Sequence, residues 1–186
     1  LAFFGLGETT HVADLDTAGG YIPDETLAAF REPDGIVLDR TGRYFVTADE
    51  GDSRGAGGAS GPRGGRTVSL FNARTGAFIA DTGSQLDDAA AAAGIYPDAR
   101  SNRGGSEPEV LDMIHFRGRD LVAVGLERAN AIALIDVSRP AKPTVVAFAA
   151  VGAAPEGVRF LTRRGELFVL AASEVAGTVS VLKVGF

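Results

Sequence analysis

Several residue types that support familiar chemistries are missing or scarce in this chain of 186 residues. There is no cysteine, which excludes disulfides, zinc–thiolate sites and thiol catalysis. The two histidines, His11 and His115, are too few for a histidine-rich metal centre. No apolar run of about 18 residues occurs, so no direct membrane span is predicted. The net charge of −6 argues against nucleic acid as a partner.

Common enzyme motifs are absent as well. The sequence has no G-x-S-x-G elbow, no P-loop and no dinucleotide-binding fingerprint. The glycines between Gly55 and Gly65 follow no phosphate-binding spacing. A hydrophobic content of 45% still allows the chain to bury one substantial core.

One phrase, in which a proline and an acidic residue lead to an apolar run that ends on a glutamate, occurs three times. The copies are Glu32–Ile36 leading to Glu50, Glu107–Leu111 leading to Glu127, and Ala154–Val158 leading to Glu174. From the proline to that glutamate the spacing is 17, 19 and 19 residues. Self-similarity on this scale indicates a repeat architecture, in which one unit is copied and stacked.

The segments within each copy are short, rich in Val, Ile, Leu and Phe, and separated by turn residues, which predicts antiparallel strands. Four strands per repeat is typical of a β-propeller blade. The predicted fold is therefore all-β, with antiparallel four-stranded blades of a β-propeller. The whole chain, 1–186, is assigned to this one domain, with blade repeats at about 33–82, 108–150 and 155–186 and insertions at 51–66 and 83–106.

About three blades are present, whereas closed propellers typically have four to eight, so we expect a partial propeller that belongs to a longer one. The residues His11–Asp16 are predicted to form a final strand with no blade in front of it. Helix is expected only in short pieces, at Asp87–Ala93, where acids precede a run of alanines, and at Asp24–Phe30.

Four strings of this sequence resemble the choice-of-anchor I family, which is related to mesenchyme-specific cell-surface glycoproteins. They are Val46–Arg54, Ser106–Glu109, Val124–Arg128 and Ala171–Val179, and they occur in the order that the family shows. The resemblance implies a β-propeller-like domain of a secreted or surface-attached protein, and some relatives are labelled alkaline phosphatases. The chain departs from the family pattern at Asp49, Val110 and Ser173, and it lacks the N-terminal half of the family domain.

The repeats place carboxylates at equivalent points of every unit. The start of a blade's first strand and the end of its second lie at one end of the blade, so the carboxylates there should converge on one face. The candidate metal ligands are Asp34, Asp49, Glu50, Asp52, Glu109, Glu127, Glu156 and Glu174. Clustered oxygen ligands suit a hard cation such as Ca²⁺. The alternative is that these carboxylates accept backbone N–H bonds and fix the packing of the blades.

Arginines fall in turns near the same predicted face, and a guanidinium suits a phosphate or a carboxylate. Arg54, Arg103 and Arg128 are the candidate ligand-binding residues. The alternative is that arginines here only neutralise neighbouring glutamates, namely Glu50, Glu107, Glu109 and Glu127. The predicted function is a secreted, periplasmic or cell-surface binding or scaffold module with a divalent cation. The alternative is a Ca²⁺-dependent phosphoesterase. Expected partners are the remaining blades of the parent chain or another subunit, and a surface protein or glycan.

Overall fold

The structure is a computed structural model that describes residues 3–51 and 64–185. Nearly all of its regular elements are antiparallel strands. In chain order the elements are β1 (Glu8–Ala13), β2 (Glu25–Phe30), β3 (Pro33–Leu38), β4 (Tyr44–Asp49), β5 (Thr67–Asn72), β6 (Phe78–Asp81), α1 (Gln85–Ala92), a 3₁₀ turn (Asp98–Arg100), β7 (Pro108–Phe116), β8 (Arg119–Leu126), β9 (Ala131–Asp136), β10 (Thr144–Ala150), β11 (Pro155–Arg163), β12 (Glu166–Ser173) and β13 (Thr178–Val184).

The strands form three consecutive meandering sheets and a two-stranded ribbon. The first sheet contains β3–β6, the second β7–β10 and the third β11–β13, while β1 and β2 pair in the ribbon. Strand β7 packs between β3 and β11, so the first strands of the three sheets lie side by side. This is the arrangement of successive blades in a propeller, and the predicted all-β blade architecture is confirmed.

The hydrophobic core lies between the sheets and follows from the period of two along each strand. Strand β8 is buried on both faces because it belongs to the middle sheet. Val122 and Val124 face the first sheet, whereas Leu121 and Ala123 face the third, and all four are fully buried. Sheet-on-sheet packing of this kind leaves room for apolar residues at every position of a central strand.

The insertion between the first and second sheets is also part of the core. The short helix predicted at Asp87–Ala93 is found at Gln85–Ala92, and its Leu86 and Ala90 are fully buried between these sheets. Asp87 of the helix pairs with the buried Arg66 at 3.6 Å. Burial raises the pKa of Asp87, and Arg66 opposes that shift. The insertion is therefore fixed to the first sheet.

The helix predicted at Asp24–Phe30 is wrong, because this segment is strand β2. Leu27 and Ala29 are fully buried, and the side chains between and around them are more exposed, which is an alternation with a period of two. Strand β2 pairs with β1, which begins at Glu8, earlier than the strand predicted at His11–Asp16. Backbone pairing between the two segments overrides the weak helix propensity of the second.

The repeated phrase has one backbone conformation in all three copies. The residue before each proline is left-handed, with φ of 44° at Glu32, 52° at Glu107 and 54° at Ala154. A β-bulge then begins directly after the proline, at Asp34, at Glu109 and at Glu156. Bulges bend a strand and redirect its side chains, so each copy turns its acidic residue in an equivalent way.

The first and second sheets approach each other closely at the glycine of the first copy, Gly35. A Cβ atom on Gly35 would lie 2.6 Å from the carbonyl oxygen of Glu109 in the next sheet. At the equivalent Gly157 in the third sheet, the nearest atom is the Cβ of Ala172 in the same sheet, at 3.1 Å. A side chain at position 35 would therefore push two sheets apart, whereas one at position 157 would not.

Candidate functional site

Carboxylates from different repeats converge where the first strands of the sheets lie side by side. Glu109 of β7, Glu127 directly after β8, and Glu156 of β11 each offer an oxygen within 4.8 Å of the others. Glu50, Glu107 and Glu127 form a second group with the same spacing. We call these five glutamates the carboxylate cluster, and Glu127 belongs to both groups.

The backbone places Glu127 and Glu174 in equivalent positions. The N–H of Glu127 donates to the carbonyl of Glu107 at 2.9 Å, and the N–H of Glu174 donates to the carbonyl of Ala154 at 2.8 Å. In both cases the acceptor is the left-handed residue that precedes the proline. The end of each second strand is thus tied to the start of the first, and its glutamate is held beside the bulge.

Glu109 lies at the centre of the charge that the cluster concentrates. Its pKa is raised from 4.5 to about 7, first by burial and then by the negative charges of Glu127, Glu50, Glu156 and Asp34. Its Oε2 atom is buried and has no hydrogen-bond partner among the described residues. A buried oxygen without a donor is costly, and it leaves a ligand position available.

Glu156 is exposed, and its pKa is also raised. The first cause is a hydrogen bond with Glu174, followed by desolvation and by the negative charges of Glu174 and Glu127. Glu174 therefore extends the cluster in the third sheet, and Asp34 extends it in the first through its charge on Glu109. With Glu174 and Asp34 added to the five cluster glutamates, seven carboxylates from the three sheets concentrate their negative charge around Glu109.

Glu107 also belongs to the cluster, although it was not among the predicted metal ligands. The sequence suggested it only as a partner for arginine. Its side chain is fully buried, and its two oxygens accept from Arg100 Nε at 3.0 Å and from Arg128 Nε at 2.8 Å. Arg128 also contacts Glu127 at 2.8 Å. The available sequence signal was the position of Glu107 before the second proline, where the chain turns back toward the cluster.

Asp49, predicted as a ligand, is not part of this cluster. It is fully buried and accepts hydrogen bonds from Thr47 at 2.6 Å, from Thr67 at 2.8 Å and from Ser69. Its pKa is raised to about 6 by burial, against these hydrogen bonds and the charge of Arg31. Because successive residues at the end of a strand point to opposite faces, Asp49 and Glu50 separate. Asp52 lies outside the described residues.

The three candidate arginines differ in their surroundings. Arg128 pairs with Glu107 and Glu127, which is the neutralising arrangement considered from the sequence. Arg103 is exposed in the loop before β7, and Arg54 lies outside the described residues. The structure therefore brings one of the three to the carboxylate cluster, and there it balances part of the negative charge.

Comparison with known proteins agrees with this architecture. The sheets define a segment of a β-propeller-like fold. Residues 62–140 match the family model described as the Choice-of-anchor I domain, which confirms the resemblance seen in the sequence. The matched segment contains β5–β9 and includes Glu107, Glu109 and Glu127. No curated protein matches the chain.

Solved structures match the chain at low sequence identity. Hydrazine synthase from Kuenenia stuttgartiensis is 14% identical with a TM-score of 0.53, over 87% of this chain and 48% of that one. The WD40 domain of SCAP from fission yeast is 9% identical with a TM-score of 0.46, over 96% of this chain and 41% of that one. The chain thus spans about half the length of these proteins. Among the described residues, no helix is long and apolar enough to cross a membrane.

Proposed function

We propose that this chain is part of a secreted or cell-surface β-propeller that serves as a binding or scaffold module and holds a divalent cation at the carboxylate cluster. The single observation that carries the proposal is the surroundings of Glu109. Its buried Oε2 has no hydrogen-bond partner among the described residues, and oxygens of Glu127 and Glu156 lie within 4.8 Å. The match to the choice-of-anchor I domain supports the surface location.

The donor set fits a hard cation of the Ca²⁺ type. Ca²⁺ takes about six to eight oxygen ligands, and carboxylates bind it through one or both oxygens. Glu109, Glu127 and Glu156 are the residues that would hold the ion, because they are mutually close and Arg128 neutralises only part of their charge. The bound cation would offset the burial and the charge repulsion that together raise the pKa of Glu109.

Such an ion would also connect the sheets. Glu109 and Glu127 belong to the second sheet, and Glu156 belongs to the third. Ligands from two adjacent blades would make cation binding favour the packed arrangement of the blades. The proposed role is thus to fix the geometry of a propeller surface that recognises a surface protein or a glycan.

Calorimetric titration of the full chain with Ca²⁺ tests the proposal. We expect binding of the ion by the unmodified chain and its loss in Glu109→Gln and Glu156→Gln, which keep the side-chain size and remove one charge. Glu25→Gln is the matched control, since Glu25 is exposed on the distant ribbon strand β2. Equal Ca²⁺ affinity in all four proteins, or no binding by the unmodified chain, would contradict the proposal.

A further inference from the structure

Five hairpin turns lie at the end of the blades that is opposite the carboxylate cluster. Alternate turns of an antiparallel meander lie at opposite ends of its strands, and the cluster lies where the first strands begin. The turns β3–β4, β5–β6, β7–β8, β9–β10 and β11–β12 are therefore at the other end. With the strand residues that flank them, they comprise residues 39–43, 73–77, 117–120, 136–143 and 163–166. We call these residues the basic end.

The basic end carries positive charge that the rest of the chain does not share. It contains eight arginines and Lys142 against four acids, an excess of five positive charges, and each of the five turns contributes at least one arginine. All nine basic side chains are exposed. The whole chain has a net charge of −6, so the remaining residues have an excess of eleven negative charges.

The two ends of the blades are far enough apart to act as separate fields. Strand β11 runs from Pro155 beside the cluster to Arg163 at the basic end and has nine residues, which corresponds to about 30 Å of extended chain. Salt screens exposed charges over about 8 Å at physiological ionic strength. A ligand at the basic end therefore meets its positive charge and not the negative charge of the whole chain.

The acids of the basic end are already engaged within the chain. Asp39 accepts backbone N–H groups of its own turn, Asp136 accepts the N–H of Ser138, and Asp120 contacts His115. The fourth acid, Glu166, pairs with Lys183. Four arginines, in contrast, have no side-chain hydrogen bond or ion pair with any described residue, namely Arg40, Arg74, Arg163 and Arg164. Their charge is available to a ligand.

Two of the turns hold arginine at a position that favours other residues. Arg117 and Arg164 are the first residues of two-residue turns, with φ of 49° and 53°, and a glycine with positive φ follows each of them. Asparagine, aspartate and glycine fit this position best. The two turns also contact each other, since Arg117 Nη2 donates to the carbonyl of Gly165 at 2.9 Å. Arginines of the second and third sheets thus form one continuous surface.

The composition of the turns indicates the kind of ligand. The planar guanidinium group binds two oxygens of a carboxylate or a similar anion at once. The five turns, which all lie within the described residues, contain none of the exposed large apolar side chains. They therefore lack the aromatic residues on which the bases of single-stranded nucleic acids stack, and the apolar residues that enter a membrane interface. Exposed hydroxyls of Thr41, Thr75 and Ser138 add groups that can hydrogen-bond to a sugar.

We propose that the basic end binds an anionic glycan that carries sulfate or uronate groups along its length. Charges distributed over five turns match a ligand with repeated charges better than a single small anion. The inference narrows the glycan partner of the proposed function and rests on it for the setting outside the cell. It does not require the cation, because the carboxylate cluster lies at the other end of the blades.

Titration of a fluorescent heparin oligosaccharide with the full chain, followed by anisotropy in the presence of a chelator, tests the proposal. We expect saturable binding that neutral dextran does not displace. Binding should become at least about tenfold weaker when NaCl rises from about 50 to about 200 mM, because several ion pairs are screened together. The chelator removes any bridging Ca²⁺, so failure of the cation proposal would leave this result unchanged.

Substitutions in the protein then locate the site. Arg163→Gln combined with Arg164→Asn removes two positive charges, and asparagine suits the turn position of residue 164. This double variant should bind the oligosaccharide at least about fivefold more weakly, because two charged contacts are lost. Arg159→Glu is the matched control, since it changes the net charge by the same two units at an exposed position in the middle of β11. It should leave binding unchanged, with thermal unfolding used to check that both variants fold.

Absence of saturable binding, displacement by neutral dextran, or equal affinity of the double variant and the unmodified chain would overturn the proposal. Tighter binding of single-stranded DNA of equal charge, or of phosphatidylserine vesicles, would also overturn it, by assigning the basic end to a nucleic acid or to a membrane. Self-association of the unmodified chain that the double variant abolishes would assign this end to the acidic end of a second copy instead.

Discussion

Glu109 and Glu156 offer carboxylate oxygens within 4.8 Å of each other although they belong to different sheets. Each is the residue that follows the proline in its copy of the repeated phrase, and each lies at a β-bulge. The two acids meet because the first strands of neighbouring sheets lie side by side and the bulges redirect both residues in the same way. Repetition of one phrase therefore concentrates negative charge where the repeats are closest.

The first prediction is that Ca²⁺ stabilises the folded chain. A ligand that binds only the folded state raises the unfolding temperature by mass action, and we expect a rise on the order of 5 °C when free Ca²⁺ exceeds its dissociation constant about 100-fold. The rise should disappear in Glu127→Gln, which removes a proposed ligand, and become smaller in Glu50→Gln, which removes a neighbouring negative charge. Thermal unfolding followed by circular dichroism, with and without a chelator, measures it.

The control for this prediction is the unfolding temperature measured without Ca²⁺. Glu109→Gln should then be at least as stable as the unmodified chain, because it removes a charge placed among four other acids. A melting temperature that does not change across millimolar Ca²⁺ would favour the alternative in which the carboxylates only fix blade packing.

The repeated phrase explains how much of this site was accessible from sequence. Three prolines at related spacings predicted strands that begin at equivalent points, and the acids beside Pro108 and Pro155 do converge. Successive side chains at the end of a strand point to opposite faces of the sheet. Of the two adjacent acids at the end of β4, Glu50 therefore faces the cluster and Asp49 faces away from it. That alternation was present in the sequence, so the different environment of Asp49 had a detectable signal.

Other features depend on contacts between distant segments. The pairing of Glu107 with Arg100 and Arg128 requires the insertion to fold back on the second sheet, which no local pattern specifies. The strand Glu25–Phe30 also depends on a distant segment, because its extended conformation is fixed by pairing with β1. Local propensity is a weak guide where an unrelated segment supplies the hydrogen bonds.

The second prediction separates Asp49 from the cation. Asp49 is fully buried and is held by Thr47, Thr67 and Ser69. Asp49→Asn should lower the free energy of unfolding by about 1–3 kcal/mol, because it weakens a buried hydrogen-bond network, and should leave Ca²⁺ affinity unchanged. Chemical denaturation and calorimetry on this one variant give both quantities. Loss of Ca²⁺ binding in a folded Asp49→Asn protein would return Asp49 to the ligand set.

The third prediction concerns the pH dependence of stability through His11. The pKa of His11 falls from 6.5 to about 4, mainly because of burial, with Asp81 and Asp88 opposing the shift and Arg66 and Arg31 adding to it. Between these values the unfolded chain binds more protons than the folded one, so stability rises with pH from about 4 to 6.5 and is lost on acidification.

Replacement of His11 by glutamine should remove this contribution, which is on the order of 2 kcal/mol over that pH range. The measurement is the difference in unfolding free energy between His11→Gln and the unmodified chain at pH 4.5 and pH 7. His115→Gln serves as the control, because His115 is a surface histidine bonded to Asp120 at 2.6 Å. A difference that does not vary with pH would show that His11 is solvated in the folded chain.

The fourth prediction distinguishes neutralisation from catalysis at Arg128. Glu107 is fully buried, and its Oε2 accepts from Arg128 Nε at 2.8 Å. Arg128→Ala should lower the free energy of unfolding by about 1–3 kcal/mol, because it leaves this buried oxygen without its partner. Arg159→Ala is the matched control, because Arg159 is 79% exposed and pairs with Asp112 on the surface, where loss of the pair should cost below about 0.5 kcal/mol. A chelator-sensitive phosphoester hydrolysis that collapses in a normally stable Arg128→Ala protein would instead support the phosphoesterase alternative.

The last prediction tests the spacing of the sheets on which the cluster depends. At Gly35 an added Cβ atom would lie 2.6 Å from the carbonyl oxygen of Glu109, and backbone cannot move away as a flexible side chain can. Gly35→Ala should therefore lower the free energy of unfolding by about 1–3 kcal/mol. It should also weaken Ca²⁺ binding, because it shifts Glu109. Gly157→Ala, at the equivalent position of the third sheet, meets only the Cβ of Ala172 at 3.1 Å and should cost less. Equal losses of unfolding free energy in the two variants would mean that the close approach of β7 to β3 does not set the position of Glu109.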